Sequence, residues 1–157
     1  MRKMRNHRIK VLFWGVMMLF LLSGCGKRIE IKDIRNFSFS YGGGSMKDSG
    51  VTYQLEWKDG VHTAIVKASG VALEDAPRIK VDEAFVVELE TFLRENHVEK
   101  WNGFNKSDKH VMDGSGFSFS LSTMDSQFIS ASGYMKYPKN FNSVCEGISA
   151  IFGKISK

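Results

Sequence analysis

Residues 51–70, VTYQLEWKDGVHTAIVKASG, decide the fold of this chain. In their first half, apolar side chains alternate with polar ones, which is the pattern of a strand with one buried face. Asp59-Gly60 then supplies the dipeptide that two-residue hairpin turns prefer. Pairing Lys58 with Val61 across this turn keeps nearly all partners of the aromatic face apolar. The register that follows sets Trp57 opposite His62, Leu55 opposite Ala64, Tyr53 opposite Val66 and Val51 opposite Ala68.

Two further segments with the same alternation predict more strands of an antiparallel sheet. Residues 34–41 bring three aromatic side chains onto one face, with serines between them. Residues 117–131 predict a second hairpin that turns near Asp125-Ser126, and Pro138 closes it. One strand and two hairpins together predict a sheet of about five strands.

Two segments carry helical spacing instead. Asp82 can cap a helix of about four turns that ends near Arg94, and the final stretch from Phe141 to Ile155 has an apolar stripe that includes Cys145. We therefore expect an α+β fold, an antiparallel sheet of about five strands with two amphipathic helices on one face. Cys145 is predicted to be buried, while acidic residues of the first helix, including Glu88 and Glu90, are predicted to line its solvated face.

The N-terminal segment has the three parts of an export signal. Residues 1–24 contain five basic and no acidic residues, and an uncharged block spans 11–22. Twelve residues in a helix cover only ~18 Å of a hydrocarbon core of ~30 Å, which disfavours a permanent membrane span. The block ends in Leu22-Ser23-Gly24-Cys25.

Leu22-Ser23-Gly24-Cys25 resembles the lipobox of bacterial lipoproteins at all four positions. The resemblance implies a diacylglyceryl group on the Cys25 thiol, cleavage before this residue, and a fatty-acid anchor that holds the protein on the extracytoplasmic side of the cell membrane. An uncleaved anchor helix with a chance cysteine is the alternative. The expected division is a removed signal peptide (1–24), a lipidated tether (25–33) and a single α+β domain (34–157).

Removal of the signal peptide changes the net charge expected for the mature protein. The whole chain has 22 basic and 17 acidic residues, and without the five basic residues of 1–24 the two numbers are equal. A net-neutral domain exerts no long-range attraction on nucleic acid, so we expect no nucleic-acid partner. Lys27 and Arg28 beside the lipid favour contacts with the membrane surface. With Cys145 alone remaining after Cys25, no intrachain disulfide is expected.

The loop 99–116 is the most individual part of the domain, and loops often carry function. Its possible ligand or partner contacts are Trp101, Phe104, Asn105, Lys106, His110 and Asp113. A structural alternative is that Trp101 and Phe104 plug the end of a small core. The stretches WNGFNKS (101–107) and DGSGFS (113–118) resemble a pattern in uncharacterised surface lipoproteins of Gram-positive type. Because that group has no assigned activity, the resemblance implies no catalytic residue.

No pattern typical of a catalytic or metal site is present in the sequence. His62, His97 and His110 lack the spacing that places zinc ligands on one face, and neither G-x-S-x-G nor S-x-x-K occurs. We therefore predict a non-enzymatic binding or interaction module without a metal or cofactor, whose partner is an envelope protein or a small ligand. The alternative is a small envelope-acting hydrolase or transferase with His110 and Asp113 as acid and base. An assembly part of a larger envelope complex, recognisable by an exposed apolar patch, is a third possibility.

Overall fold

The computed structural model describes residues 29–42, 50–111 and 113–155. The predicted signal segment, Cys25, Lys27 and Arg28 lie outside these residues. Within the described ranges the chain forms seven strands, two α-helices and one short 3₁₀ helix. In chain order these are β1 (Ile34–Gly42), β2 (Val51–Lys58), β3 (Val61–Ala68), β4 (Arg78–Val81), α1 (Glu83–Glu95), the 3₁₀ helix (Val98–Trp101), β5 (Asn105–Ser107), β6 (Gly116–Thr123), β7 (Phe128–Tyr134) and α2 (Phe141–Gly153).

The strands form one sheet in the order β4-β3-β2-β1-β6-β7-β5, so that β1 lies between the two hairpins. The predicted register of β2 and β3 is confirmed from Lys58 opposite Val61 to Val51 opposite Ala68. At the turn, Asp59 and Gly60 both have positive φ, 53° and 81°. This is the conformation that a type I′ turn requires at its two central positions, which explains why the dipeptide fixes the register.

The predicted number of strands is wrong, because β4 and β5 are short additional edge strands. β4 continues the antiparallel sheet beside β3, whereas β5 pairs with β7 in parallel. They have four and three residues, and all three residues of β5 are exposed. Segments this short show no hydrophobic alternation over a useful length, so their pairing is determined by neighbouring strands.

Both helices pack against the same face of the sheet and share its core. Phe152 of α2 stacks on Phe37 of β1 at a ring distance of 6.0 Å and meets Phe85 of α1 edge-on at 5.2 Å. Asp82 caps α1 as predicted, since its carboxylate accepts a hydrogen bond from the Phe85 N–H over 3.0 Å. The α+β architecture predicted from the sequence is therefore confirmed. Cys145 is buried within this core, as its place in the apolar stripe predicts.

The opposite face of the central strands is polar and has no helix packed on it. Its serines are Ser38, Ser40, Ser118, Ser120, Ser122, Ser130 and Ser132. Two of them, Ser40 and Ser118, join neighbouring strands through a 2.8 Å hydrogen bond between their hydroxyl groups. These serine side chains carry no charge and interact through hydrogen bonds.

The hydrophobic core includes residues that precede Ile34. Ile31, predicted to belong to the polar tether, is 2 % exposed within the core, and Ile29 packs partly against it. The Glu30 N–H also donates a hydrogen bond to the Gln127 side chain over 2.9 Å. The start of the described chain is therefore held against the end of the sheet where β1 begins. Among the residues described, no helix is both long enough and apolar enough to cross a membrane.

Candidate functional site

Trp101, the first of the predicted contact residues, lies in the core. Its side chain is 3 % exposed, and its ring packs edge-on against Phe117 and Phe119 at 5.9 and 5.6 Å and stacks on Phe141 at 6.0 Å. The indole N–H donates a hydrogen bond to Asn140 over 3.0 Å. Trp101 therefore plugs the core, and no surface of its ring is offered to a ligand.

The next three predicted contacts stabilise the edge of the sheet. Phe104 is half-buried against Phe117, with 6.0 Å between ring centroids, and Lys106 lies over the Phe104 ring at 5.4 Å. Asn105 accepts a 3.3 Å hydrogen bond from the Ser132 hydroxyl on β7. Asn105 and Lys106 are exposed and Phe104 is partly so, which leaves them accessible at the β5 edge.

The proposed acid and base, His110 and Asp113, are both exposed to solvent. The His110 backbone N–H donates to Asp108 over 3.1 Å, and Asp108 pairs with Lys136 at 3.1 Å. The hydrogen bond from His110 first, and Lys136 second, lower the pKa of Asp108 below its usual value. These are turn-forming contacts of a surface loop. Neither His110 nor Asp113 lines the groove described below, so the geometry does not favour an acid/base pair at these two residues.

A groove of about 520 Å³ lies at the opposite end of the sheet, between α1 and the turn of the β2–β3 hairpin. Three of its lining residues are apolar side chains that remain substantially exposed. Val61 is 36 % exposed, Val87 50 % and Met124 41 %. Single exposed apolar residues are ordinary on a protein surface, but three around one concavity indicate a surface suited to an apolar partner. We call this feature the α1–hairpin groove.

Two polar side chains of the α1–hairpin groove, His62 and Glu90, are held by the main chain of Ile34. His62 places Nε2 2.7 Å from the Ile34 carbonyl oxygen, and Glu90 accepts the Ile34 N–H over 2.8 Å. Trp57 packs on the His62 imidazole, with 4.6 Å between ring centroids. One imidazole and one carboxylate thus fix the start of β1 from both sides.

Glu90 corrects one prediction from the helical pattern. It was expected on the solvated face of α1, but it is only 9 % exposed, whereas Glu88 is exposed and forms an ion pair with Lys154. The physical reason is that the first N–H of β1 is buried beside the helix and needs a hydrogen-bond acceptor, which the Glu90 carboxylate provides. The sequence shows no sign of this contact, since its partners are 56 residues apart.

The sequence patterns did not predict most residues of the α1–hairpin groove as site residues. Val87 stands next to core-facing Val86, and Met124 lies in a turn, so neither belongs to a periodic stripe.

Throughout the part of the chain that the structure describes, no group of three or more His, Cys, Asp or Glu side chains is arranged to hold a metal ion. No protein-family model matches this chain, and no curated protein is significantly similar to it.

Proposed function

We propose that this chain is a membrane-anchored extracytoplasmic lipoprotein whose domain is a non-enzymatic binding or interaction module. The anchor rests on Leu22-Ser23-Gly24-Cys25, which matches the lipobox pattern at every position. Two or more acyl chains hold a protein on a bilayer far more stably than one chain. The observation that carries the binding role is the exposed apolar lining of the α1–hairpin groove.

The position of the tether supports a link between the anchor and the groove. The Met124 N–H donates a 2.8 Å hydrogen bond to the carbonyl oxygen of Asp33, and both residues line the α1–hairpin groove. Asp33 is four residues from Ile29, the first described residue. Asp33 thus forms part of the groove, and from there the described chain runs back to Ile29, which lies beside Arg94 and His97.

Binding is favoured over catalysis by what the ionisable groups already do. His62 and Glu90 each engage the main chain of Ile34 and so hold β1 in place. A general acid or base needs to reach a substrate atom within hydrogen-bonding distance, and His110 and Asp113 both lie exposed on a surface loop. The partner of this module is proposed to contact the apolar lining through an apolar surface of its own.

Metabolic labelling with a fatty acid tests the anchor. We expect label on the wild-type protein and its recovery with membranes. Cys25→Ala should lose both, because only a thiol at this position can form the thioether. Cys145→Ala is the matched control, since it removes the other cysteine of the chain and should retain the label. Equal labelling of Cys25→Ala and wild type would refute the lipid anchor.

A further inference from the structure

We infer that the α1–hairpin groove rests against a lipid bilayer, and that the lipid surface is the partner that covers its exposed apolar side chains. The inference depends on the lipid anchor proposed above and adds to it a defined orientation of the domain. It follows from the length of the tether, from the chemistry of the groove and from the contrast with the polar sheet face.

The tether leaves little room between the domain and the membrane. Ile31 is buried in the core, and only six peptide units separate it from Cys25. A fully extended chain of this length spans at most ~21 Å, and the four units to Ile29 span ~14 Å. Anchored acyl chains therefore keep Ile29 within ~14 Å, and Ile31 within ~21 Å, of Cys25 at the membrane surface.

The groove has the composition that a bilayer interface favours. Val61, Val87 and Met124 line the groove together with Trp57, an amphipathic side chain of the type enriched at the membrane–water boundary. Acidic residues, Asp33 and Glu83, also line the groove and are exposed. Attraction to anionic lipid is therefore not its basis, and we expect the contact to form on zwitterionic lipid and to persist at high salt.

The opposite sheet face is a poor alternative for membrane contact. Its central strands present serine hydroxyl groups, such as the hydrogen-bonded pair Ser40 and Ser118. Hydroxyl groups lose hydrogen bonds to water when they enter an apolar phase, so the serine-lined strands gain nothing from approaching lipid. Phe128, which is exposed at the start of β7, is an apolar side chain at the edge of this face. The domain is thus oriented with the α1–hairpin groove toward the bilayer and the serine face toward the aqueous phase.

Tryptophan fluorescence in brominated vesicles tests the orientation. The full lipidated protein is reconstituted in phosphatidylcholine vesicles with and without bromine on the acyl chains near the headgroup. Trp57 lies in the groove and Trp101 in the core, so bromine should quench the Trp57 emission and leave that of Trp101. Trp57→Phe should abolish the quenchable component.

A matched pair of valine variants gives a control for the contact surface. Val87→Gln removes an apolar contact in the groove, and Val71→Gln makes the same change at a comparably exposed site, 40 % against 50 %, in the loop after β3. Both leave the net charge unchanged. We expect Val87→Gln to reduce the bromine quenching of Trp57, and Val71→Gln to leave it unchanged.

The possible failures are distinguishable. Wild-type protein that floats with the vesicles but shows no bromine quenching would overturn the orientation while leaving the anchor intact. The same holds if Val71→Gln and Val87→Gln reduce quenching equally. Wild-type protein that does not float would refute the anchor, and the orientation would be refuted with it.

Discussion

The indole N–H of Trp101 donates a hydrogen bond to the side-chain oxygen of Asn140 over 3.0 Å. Asn140 is the residue before α2, and its amide nitrogen donates in turn to the carbonyl oxygen of Asn96 at the end of α1 over 2.6 Å. The asparagine side chain is consequently not used to cap α2, although it stands at the capping position. One amide group thus joins the ends of α1, the 3₁₀ helix and α2.

Removal of the Trp101 ring should strongly destabilise the domain. Trp101→Ala empties a site surrounded by three phenylalanine rings, and such truncations typically cost about 3–5 kcal/mol. The exposed loop residues offer controls, since His110→Ala and Asp113→Ala should change stability by less than about 0.5 kcal/mol. Denaturant titration measures all three, and a Trp101→Ala midpoint equal to that of wild type would contradict the packing described here.

Asn140→Ala should lower the free energy of unfolding by about 1–3 kcal/mol, because it leaves the buried indole N–H without an acceptor. Asn142→Ala provides the comparison, since Asn142 is an exposed residue in the first turn of the same helix. Alanine has the higher helix propensity, so this second change should be neutral or slightly stabilising. Thermal unfolding measures the midpoint temperature of both variants. Equal shifts of this midpoint would show that the hydrogen bonds of Asn140 contribute little to stability.

Gly147 lets α1 and α2 approach closely, and a side chain there should be costly. A Cβ at Gly147 would lie 2.0 Å from Cζ of Phe92, whereas one at Gly153 would meet no atom within 4 Å. Gly147→Ala should therefore destabilise the domain by about 1–3 kcal/mol through overpacking, despite its better helix propensity. Gly153→Ala should be neutral or stabilising by up to about 1 kcal/mol.

Chemical denaturation measures the free energy of unfolding of Gly147→Ala and Gly153→Ala, and only the first should be lower than that of wild type. The double variant Phe92→Ala with Gly147→Ala should show a smaller effect of the Gly147 change than the single variant does, because the clashing ring is gone. If the Gly147 effect is the same in both backgrounds, the cause is not the contact with Phe92.

Cys145 should behave as an inert, buried thiol. Burial raises its pKa from 9.0 to about 12, so the reactive thiolate is scarce in the folded protein at neutral pH. A bulky maleimide should label the folded Cys25→Ala variant much more slowly than the same chain in denaturant. Labelling at equal rates would contradict the burial of this residue.

The raised pKa of Cys145 also predicts a pH dependence. Because the folded state holds the thiol proton more tightly than the unfolded state, this contribution to stability is complete below pH 9.0 and is lost between pH 9.0 and about 12. Cys145→Ala should therefore lose less stability than wild type as the pH rises above 9.0. Urea titrations at several pH values measure the difference, and parallel curves for the two proteins would exclude a role for the thiol.

The elements predicted correctly from the sequence are those whose signals are local. The β2–β3 register follows from Asp59-Gly60 and the alternation on either side, and the start of α1 follows from Asp82. The burial of Glu90 and the edge strand β5 depend on partners distant in the sequence, so no local pattern reveals them. The α1–hairpin groove has the same origin, since it forms only when the hairpin turn, α1 and the β6–β7 turn meet.

The loop 99–116 illustrates why candidate contacts were harder to predict than strands. Trp101 and His110 are nine residues apart in one polar-looking segment, yet one is buried and the other is exposed. An aromatic residue in a loop is compatible with both a binding surface and a core plug, and the structure supports the plug for Trp101. The distinction depends on Phe141 and Asn140, which the chain supplies about 40 residues later.

The mass of the N-terminal peptide of the protein purified from membranes tests the central proposal most directly. We predict that this peptide begins at Cys25 and carries a diacylglyceryl group on its sulfur, with residues 1–24 absent. Trypsin should release it by cleavage after Lys27, which keeps the lipidated fragment short enough for mass spectrometry. An unmodified Cys25 within a peptide that still contains Leu22, Ser23 and Gly24 would contradict the lipid anchor and, with it, the orientation of the α1–hairpin groove toward the bilayer.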